Sequence, residues 1–249
     1  MNPFLELACD AARQAGALLR DHYESDLNVN EMLDHDIKLE LDVRSQDLIT
    51  RRILDTYPDH AIYGEEGIAG NPDSTIEWIV DPIDGTVNYF YGIPHFCVSI
   101  AMREAGQLKV GAIYDPMLDE MFAVEAGGTP TRNGKPITTS PRSQLKDAVV
   151  TIGFSKSKEA MDAGMDRYRA VAYQVRKTRM MGSAALALAY IACGRLDAYI
   201  EEQISLWDIA AGQLLVEAAG GSIRLSDSVS HPDKWGIVAH NGKLPLDDI

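Results

Sequence analysis

Cysteine is scarce in this chain. Cys9, Cys97 and Cys193 form an odd, widely spaced set with no Cys-x-x-Cys among them. No disulfide framework can be built from such a set, and buried free thiols in a reducing compartment are expected. Basic charge is also short: 23 Lys and Arg stand against 37 Asp and Glu, for a net charge of −14. A protein this acidic binds nucleic acid or an anionic membrane poorly, so neither is expected as a partner. Long apolar runs are missing too. The longest, Ala184 to Cys193, is too short to span a bilayer. Glu6, Asp10 and Arg13 interrupt the apolar residues of the first turns, which excludes a signal-peptide core there. The expected location is the cytoplasm. Internal repeats and low-complexity linkers are absent.

What the sequence does have is 249 residues that are 46% apolar, enough for a sizeable core. Phe4, Leu5, Ala8, Ala12, Ala15, Leu18 and Leu19 recur at helical spacing and predict a helix over 3–23. A polar stretch to Asp36 and a helix over 43–56 follow. Short strands are expected at 61–63 and 77–80. Runs at 96–103, 108–114 and 120–125, divided by turn residues, read as an antiparallel meander. Asn133-Gly134 marks a further hairpin. After about residue 145 strands and helices alternate: strands at 149–154, 175–180, 196–201 and 235–239, helices at 157–175, 182–193 and 207–219. The expected organisation is an N-terminal α+β half (1–145) and a C-terminal α/β half (146–249), with the functional site between them. The fold class is a layered α/β sandwich of alternating helices and sheets.

Three acidic elements carry the chemistry. Asp81-Pro82-Ile83-Asp84-Gly85-Thr86 places two carboxylates three residues apart at the end of a strand, with proline stiffening the turn between them. Glu65-Glu66 lies upstream and Trp207-Asp208 downstream. Each alone reads as easily as a turn, a surface pair or a helix cap. Together, each at the end of a predicted strand, they suit a hard, oxygen-seeking cation such as Mg²⁺. The Asp84-Gly85-Thr86 step opens a segment whose free N–H groups can hold phosphate oxygens, and Gly85 lets the backbone approach the anion closely. The combination points to a metal-dependent phosphatase.

The ordered set Asp47…Glu65-Glu66…Asp81-Pro82-Ile83-Asp84-Gly85-Thr86…Trp207-Asp208-Ile209-Ala210-Ala211 resembles the inositol monophosphatase family of Mg²⁺-dependent, lithium-sensitive phosphatases. The similarity runs from the N-terminal helix to about Ala239. It implies the sugar-phosphatase fold shared with fructose-1,6-bisphosphatase, a homodimer, and two or three Mg²⁺ ions per site. It also implies residue roles. Glu65, Asp81 and the Ile83 carbonyl would bind one ion, and Asp81, Asp84 and Asp208 a second. Glu65 would also hold a third, weaker ion. Asp47 and Thr86 would position and deprotonate the attacking water, and the Gly85 and Thr86 N–H groups would bind phosphate. Hydrolysis of a phosphate monoester by a metal-activated water follows, with no covalent enzyme intermediate.

The pattern departs from the family most clearly in one stretch, and the loop between Gly67 and Trp78 is also short. Lys38 to Asp47 has Arg44 where a threonine is usual, and its earlier acid, Asp42, is shifted by one. On the substrate side, Gly182-Ser183-Ala184 resembles the stretch that lines the alcohol, and Glu201 matches a position that binds inositol hydroxyls. Ser155 falls in a substrate-side loop. A carboxylate at Glu201 suits a polyol such as inositol 1-phosphate or a related sugar phosphate. Fructose-1,6-bisphosphatase, histidinol-phosphatase and 3′-phosphoadenosine nucleotidase activities are the alternatives on the same fold, and Arg176, Lys177 and Arg179 keep the bisphosphate open. A non-catalytic scaffold is the alternative of another class.

Overall fold

The computed structural model describes residues 2–25, 27–33, 36–154, 157–228 and 234–246. Ser155 lies outside them. The chain runs through α1 (Pro3–Asp21), the antiparallel hairpin β1 (Val29–Leu33) and β2 (Asp36–Leu39), α2 (Glu40–Leu54), β3 (Ala61–Gly64), β4 (Gly67–Gly70), β5 (Ile76–Asp84) and a short α3 (Thr86–Phe90). The meander follows: β6 (Cys97–Glu104), β7 (Gln107–Asp115), β8 (Glu120–Glu125), β9 (Thr131–Arg132) and β10 (Lys135–Pro136). Then come β11 (Val149–Ile152), α4 (Lys158–Ala172), β12 (Lys177–Arg179), α5 (Ala184–Ala192), β13 (Ala198–Ile204), α6 (Leu206–Ala218), β14 (Ser222–Asp227) and β15 (Trp235–His240).

Two open sheets organise these elements. The first has eight strands in the order β10-β9-β8-β7-β6-β5-β3-β4, antiparallel except where β3 runs parallel to β5. The second has five in the order β12-β11-β13-β15-β14 and is parallel from β12 to β13. Helices α1 and α2 cover one face of the large sheet. Helices α5 and α6 lie between the two sheets, and α4 packs on the far side of the small one. The result is five layers, helix–sheet–helix–sheet–helix.

Strand periodicity divides the core accordingly. In β5, Trp78 and Val80 point toward α1 and α2, while Ile79 points toward α5 and α6. Helix α5 is buried all round, because a helix between two sheets has no solvent face to make polar. Small residues set the approach of the layers. A Cβ at Gly212 of α6 would meet Leu188 of α5 at 2.5 Å, and one at Gly111 of β7 would meet the Ala211 carbonyl at 2.8 Å. No helix among the described residues is long and apolar enough to cross a membrane.

Candidate active site

The site begins with an irregularity in β5. The pairing of β5 with β6 shifts register between Asp81 and Asp84, at Pro82, which has no N–H to give to a ladder. One extra residue here reverses the alternation. Ile83 turns into the α1/α2 core, and Asp84 comes to the same side of the sheet as Asp81. In a regular strand, residues three apart would face opposite ways. The bulge therefore converts a three-residue spacing into a carboxylate pair.

Asp208 completes the group from α6. It is the third residue of that helix, and its Oδ2 accepts the Ser205 N–H at 2.9 Å in a capping box. Trp207 beside it packs on Tyr63 of β3, with ring centroids 5.5 Å apart, which ties α6 to the large sheet. Ligand oxygens of Asp81, Asp84 and Asp208 all lie within 4.8 Å of one another. Glu65, in the β3–β4 turn, is outside this tight group but lines the same cavity, and its charge acts on Asp81. The Gln46 side chain of α2 clamps that turn, accepting the Glu66 N–H at 2.9 Å and donating to the Gly67 carbonyl at 3.1 Å. Gly64 is required for the clamp, since a Cβ there would overlap the Gln46 amide.

Burial raises the pKa of each of these acids, and their charges raise Asp81 and Asp208 further. Asp81 is pushed well above the ordinary carboxylate range by burial, then by the charges of Glu65, Asp84 and Asp208. It shares a hydrogen bond with Asp208, whose own pKa is pushed up to about 7 by burial and by Asp84. Asp84 is also raised by burial. The Ser183 hydroxyl and the Ala185 and Ala184 N–H groups at the start of α5 oppose that rise. The donors are all carboxylate oxygens crowded into a buried site, where a cation would relieve the repulsion that raises Asp81 and Asp208. These residues fit a divalent cation of the Mg²⁺ type.

A pH effect on stability follows. Carboxylates whose folded pKa is raised bind more protons folded than unfolded between about pH 4 and 7, so stability falls as pH rises through that window. In chelator, the melting temperature is expected to drop by about 5–10 °C from pH 5 to pH 8. Added Mg²⁺ should restore most of the drop at pH 8 and do little at pH 5. A melting temperature that climbs steadily to pH 8 in chelator would show that the cluster is not charge-strained. Differential scanning fluorimetry reads both arms.

Residues 1–244 match the profile of the Inositol monophosphatase family. The chain belongs to that family. It is 39% identical over 227 residues to the Nus factor SuhB of Pasteurella multocida, covering 90% of this chain and 85% of that protein. It is 38% identical over 231 residues to inositol monophosphatase 2 of Solanum lycopersicum, covering 90% and 87%. The crystal structure of extragenic suppressor protein suhB from Bartonella henselae superposes with a TM-score of 0.89 at 33% identity, covering 96% of this chain and 93% of that one. The five layers are thus the inositol monophosphatase fold, and the chain is a phosphoric monoester hydrolase of the inositol monophosphatase type.

The structure corrects the expected Asp47–Thr86 pair. Asp47 stands on the exposed side of α2. The acid beside Thr86 is Asp42, only 2% exposed, with the Thr86 hydroxyl 3.3 Å from its Oδ1 and 2.9 Å from the Ile83 carbonyl. The reason is helical geometry: five residues further along α2 is a rotation of roughly 140° away from Asp42. Asp42 also caps α2, its Oδ2 accepting the Leu39 N–H at 2.7 Å. Burial raises its pKa to about 7, opposed by that N–H and reinforced by Glu65 and Glu66.

The other expected residues lie along one cavity of about 560 Å³, which Glu65, Asp81, Asp84, Thr86, Asp208 and Glu201 all line. Gly85 has φ +98°, and a side chain there would press on the Gly182 and His95 carbonyls at 3.1 Å. Gly182, Ser183 and Ala184 form the facing wall, Ser183 capping α5. Asn88 of α3 bridges these segments, donating to the His95 carbonyl at 2.8 Å and the Met181 carbonyl at 2.9 Å. Sequence reasoning missed Asn88 and Gln46, whose amides carry no spacing signal. Lys38, Lys234, Phe154, Tyr199 and Gln203 also line the cavity.

Proposed function

We propose that this chain hydrolyses a phosphate monoester of a polyol or sugar, with inositol 1-phosphate the leading substrate, in a Mg²⁺-dependent reaction. The observation that carries the reading is a single cavity in which the Asp81, Asp84 and Asp208 carboxylates meet Thr86, backed by Asp42, on one side and Glu201 on the other. Glu65, Asp81 and the Ile83 carbonyl are the groups for one cation, Asp81, Asp84 and Asp208 for a second, and Glu65 for a third, weaker one. When bound, Mg²⁺ makes a coordinated water acidic enough to attack near neutral pH and offsets charge on the phosphoryl and leaving oxygens.

The chain's own work is orientation and proton handling. Thr86 orients the attacking water, and the Asp42 carboxyl behind it takes up the proton, its raised pKa suiting a base near neutrality. The Gly85 and Thr86 N–H groups hold the phosphate oxygens. Gly182, Ser183 and Ala184 wall the alcohol side with little bulk, leaving room for a ring. Glu201 accepts from vicinal hydroxyls of the leaving alcohol.

A bisphosphate is the second reading, because Lys38 and Lys234 line the same cavity. Arg176 and Lys177 do not line it, and Arg176 is engaged with Asp147. The discriminating experiment is phosphate release from inositol 1-phosphate, fructose 1,6-bisphosphate, histidinol phosphate and 3′-phosphoadenosine 5′-phosphate, each with Mg²⁺, with and without Li⁺. The expected result is Mg²⁺-dependent turnover fastest on inositol 1-phosphate. Fastest turnover of fructose 1,6-bisphosphate would replace the polyol reading with the second. The words "Nus factor" belong to the relatives that bear them. A non-catalytic role here would show as a Mg²⁺-induced rise in melting temperature with no turnover of any substrate.

A further inference from the structure

Glu201 does not stand alone in the cavity. Tyr199, two residues earlier on β13, projects to the same side of the sheet, and its hydroxyl donates a hydrogen bond to Glu201 Oε2. The Tyr199 ring is 2% exposed and belongs to the core between the two sheets, so its hydroxyl is a fixed donor. Across the ladder, β11 pairs Ile152 with Ile200, and Gly153 donates its N–H to the Ile200 carbonyl at 2.9 Å. That contact brings the bare Cα of Gly153 under the Glu201 carboxylate. A Cβ there would overlap Oε2.

We infer that Tyr199 is a positioning residue for substrate specificity: with Gly153 as the floor, it fixes the Glu201 carboxylate in the orientation that receives the hydroxyls of a polyol phosphate. The inference rests on the polyol reading of Glu201 and deepens it. A free glutamate must give up rotamer freedom when it binds, and one already seated against a buried donor does not. The phenol keeps its proton throughout the working pH range, because burial and then the Glu201 charge push its pKa well up, so it stays the donor. Tyr199 is remote in role from the reacting phosphorus. Removing its hydroxyl should therefore act on recognition of the alcohol and spare the chemistry.

The test is Tyr199→Phe, assayed on inositol 1-phosphate and on phenyl phosphate, which has no vicinal hydroxyls. The expected result is a KM for inositol 1-phosphate raised about 3–10-fold with kcat within about twofold, and a KM for phenyl phosphate that does not move. In a Glu201→Gln background the Tyr199→Phe change should add nothing. A rise in KM for both substrates together, or a further loss in the double variant, would reduce Tyr199 to a structural residue. A KM effect of Glu201→Gln without one of Tyr199→Phe overturns the positioning role alone. No KM effect of Glu201→Gln overturns the polyol reading and the positioning role with it. Should Tyr199→Phe not fold, Gly153→Ala displaces the same carboxylate from the opposite side. It is expected to raise the same KM, and an unchanged KM there would overturn the inference.

Discussion

Asp42→Asn is expected to lower kcat by about 10²- to 10⁴-fold at saturating Mg²⁺, while Asp47→Asn leaves it within about twofold. The contrast is large because the two acids, five residues apart on one helix, have different surroundings. Asp42 is buried, caps α2 through Leu39 and lies 3.3 Å from the Thr86 hydroxyl. Asparagine keeps an acceptor for Leu39 but cannot take up a proton, so the fold is retained and the base is lost. Asp47 faces solvent. Steady-state kinetics on one substrate, with both variants checked by thermal melting, decides the matter. If Asp47→Asn were the inactive variant, or if both lost activity alike, the assignment of the proton acceptor to Asp42 would be wrong.

The second large effect is expected at Asp84. Asp84→Asn should abolish activity by about 10³-fold or more and also remove most of the Mg²⁺-induced rise in melting temperature at pH 8. The side chain has two jobs that the variant separates. Toward α5 it accepts from Ser183 and from the Ala184 and Ala185 N–H groups, and an amide oxygen keeps part of that. Toward Asp81 and Asp208 it supplies negative charge, which an amide does not. A folded Asp84→Asn protein with near-normal turnover and an intact Mg²⁺ response would remove Asp84 from the cation site.

Much of this was legible because sequence signals and physical causes coincide. The meander from β6 to β8 is marked by turn residues at each reversal, and α5 by an apolar run of helical length. Asp81 and Asp84 announce themselves as acids closing a buried strand, and Asp208 as an acid in the first turn of an apolar helix. Strands β4 and β14 were not expected. Gly67–Gly70 is bounded by glycines and its Ile68 is 74% exposed, so it reads as a turn; β14 is mostly exposed, and its alternation is only two apolar residues long, Ile223 and Leu225. Both are edge strands, held by backbone pairing that leaves little trace in side chains. Asp42 was visible as an acid, but its place beside Thr86 was hidden for a related reason. Its helix starts at Glu40 behind Leu39, a residue with no capping side chain, so nothing marks the first turn in which an acid at the third position would have stood out. The Tyr199–Glu201–Gly153 arrangement depends on a cross-strand register that no local pattern specifies.

The placing of α5 and α6 between the sheets also sets an order of events as the chain is made. The strands of the large sheet are complete by residue 136, yet the face carrying Ile79, Ala101, Ile113, Phe122 and Val124 is covered by helices that end at residues 192 and 218. A nascent chain can therefore pair its first ten strands long before that apolar face has anything to lie against. Asp208 comes late in the same way, so no cation can assist the early steps by bridging all three carboxylates. The last helix to arrive closes the core and completes the cluster in one movement, and the vulnerable period of this protein's synthesis is the interval before it emerges.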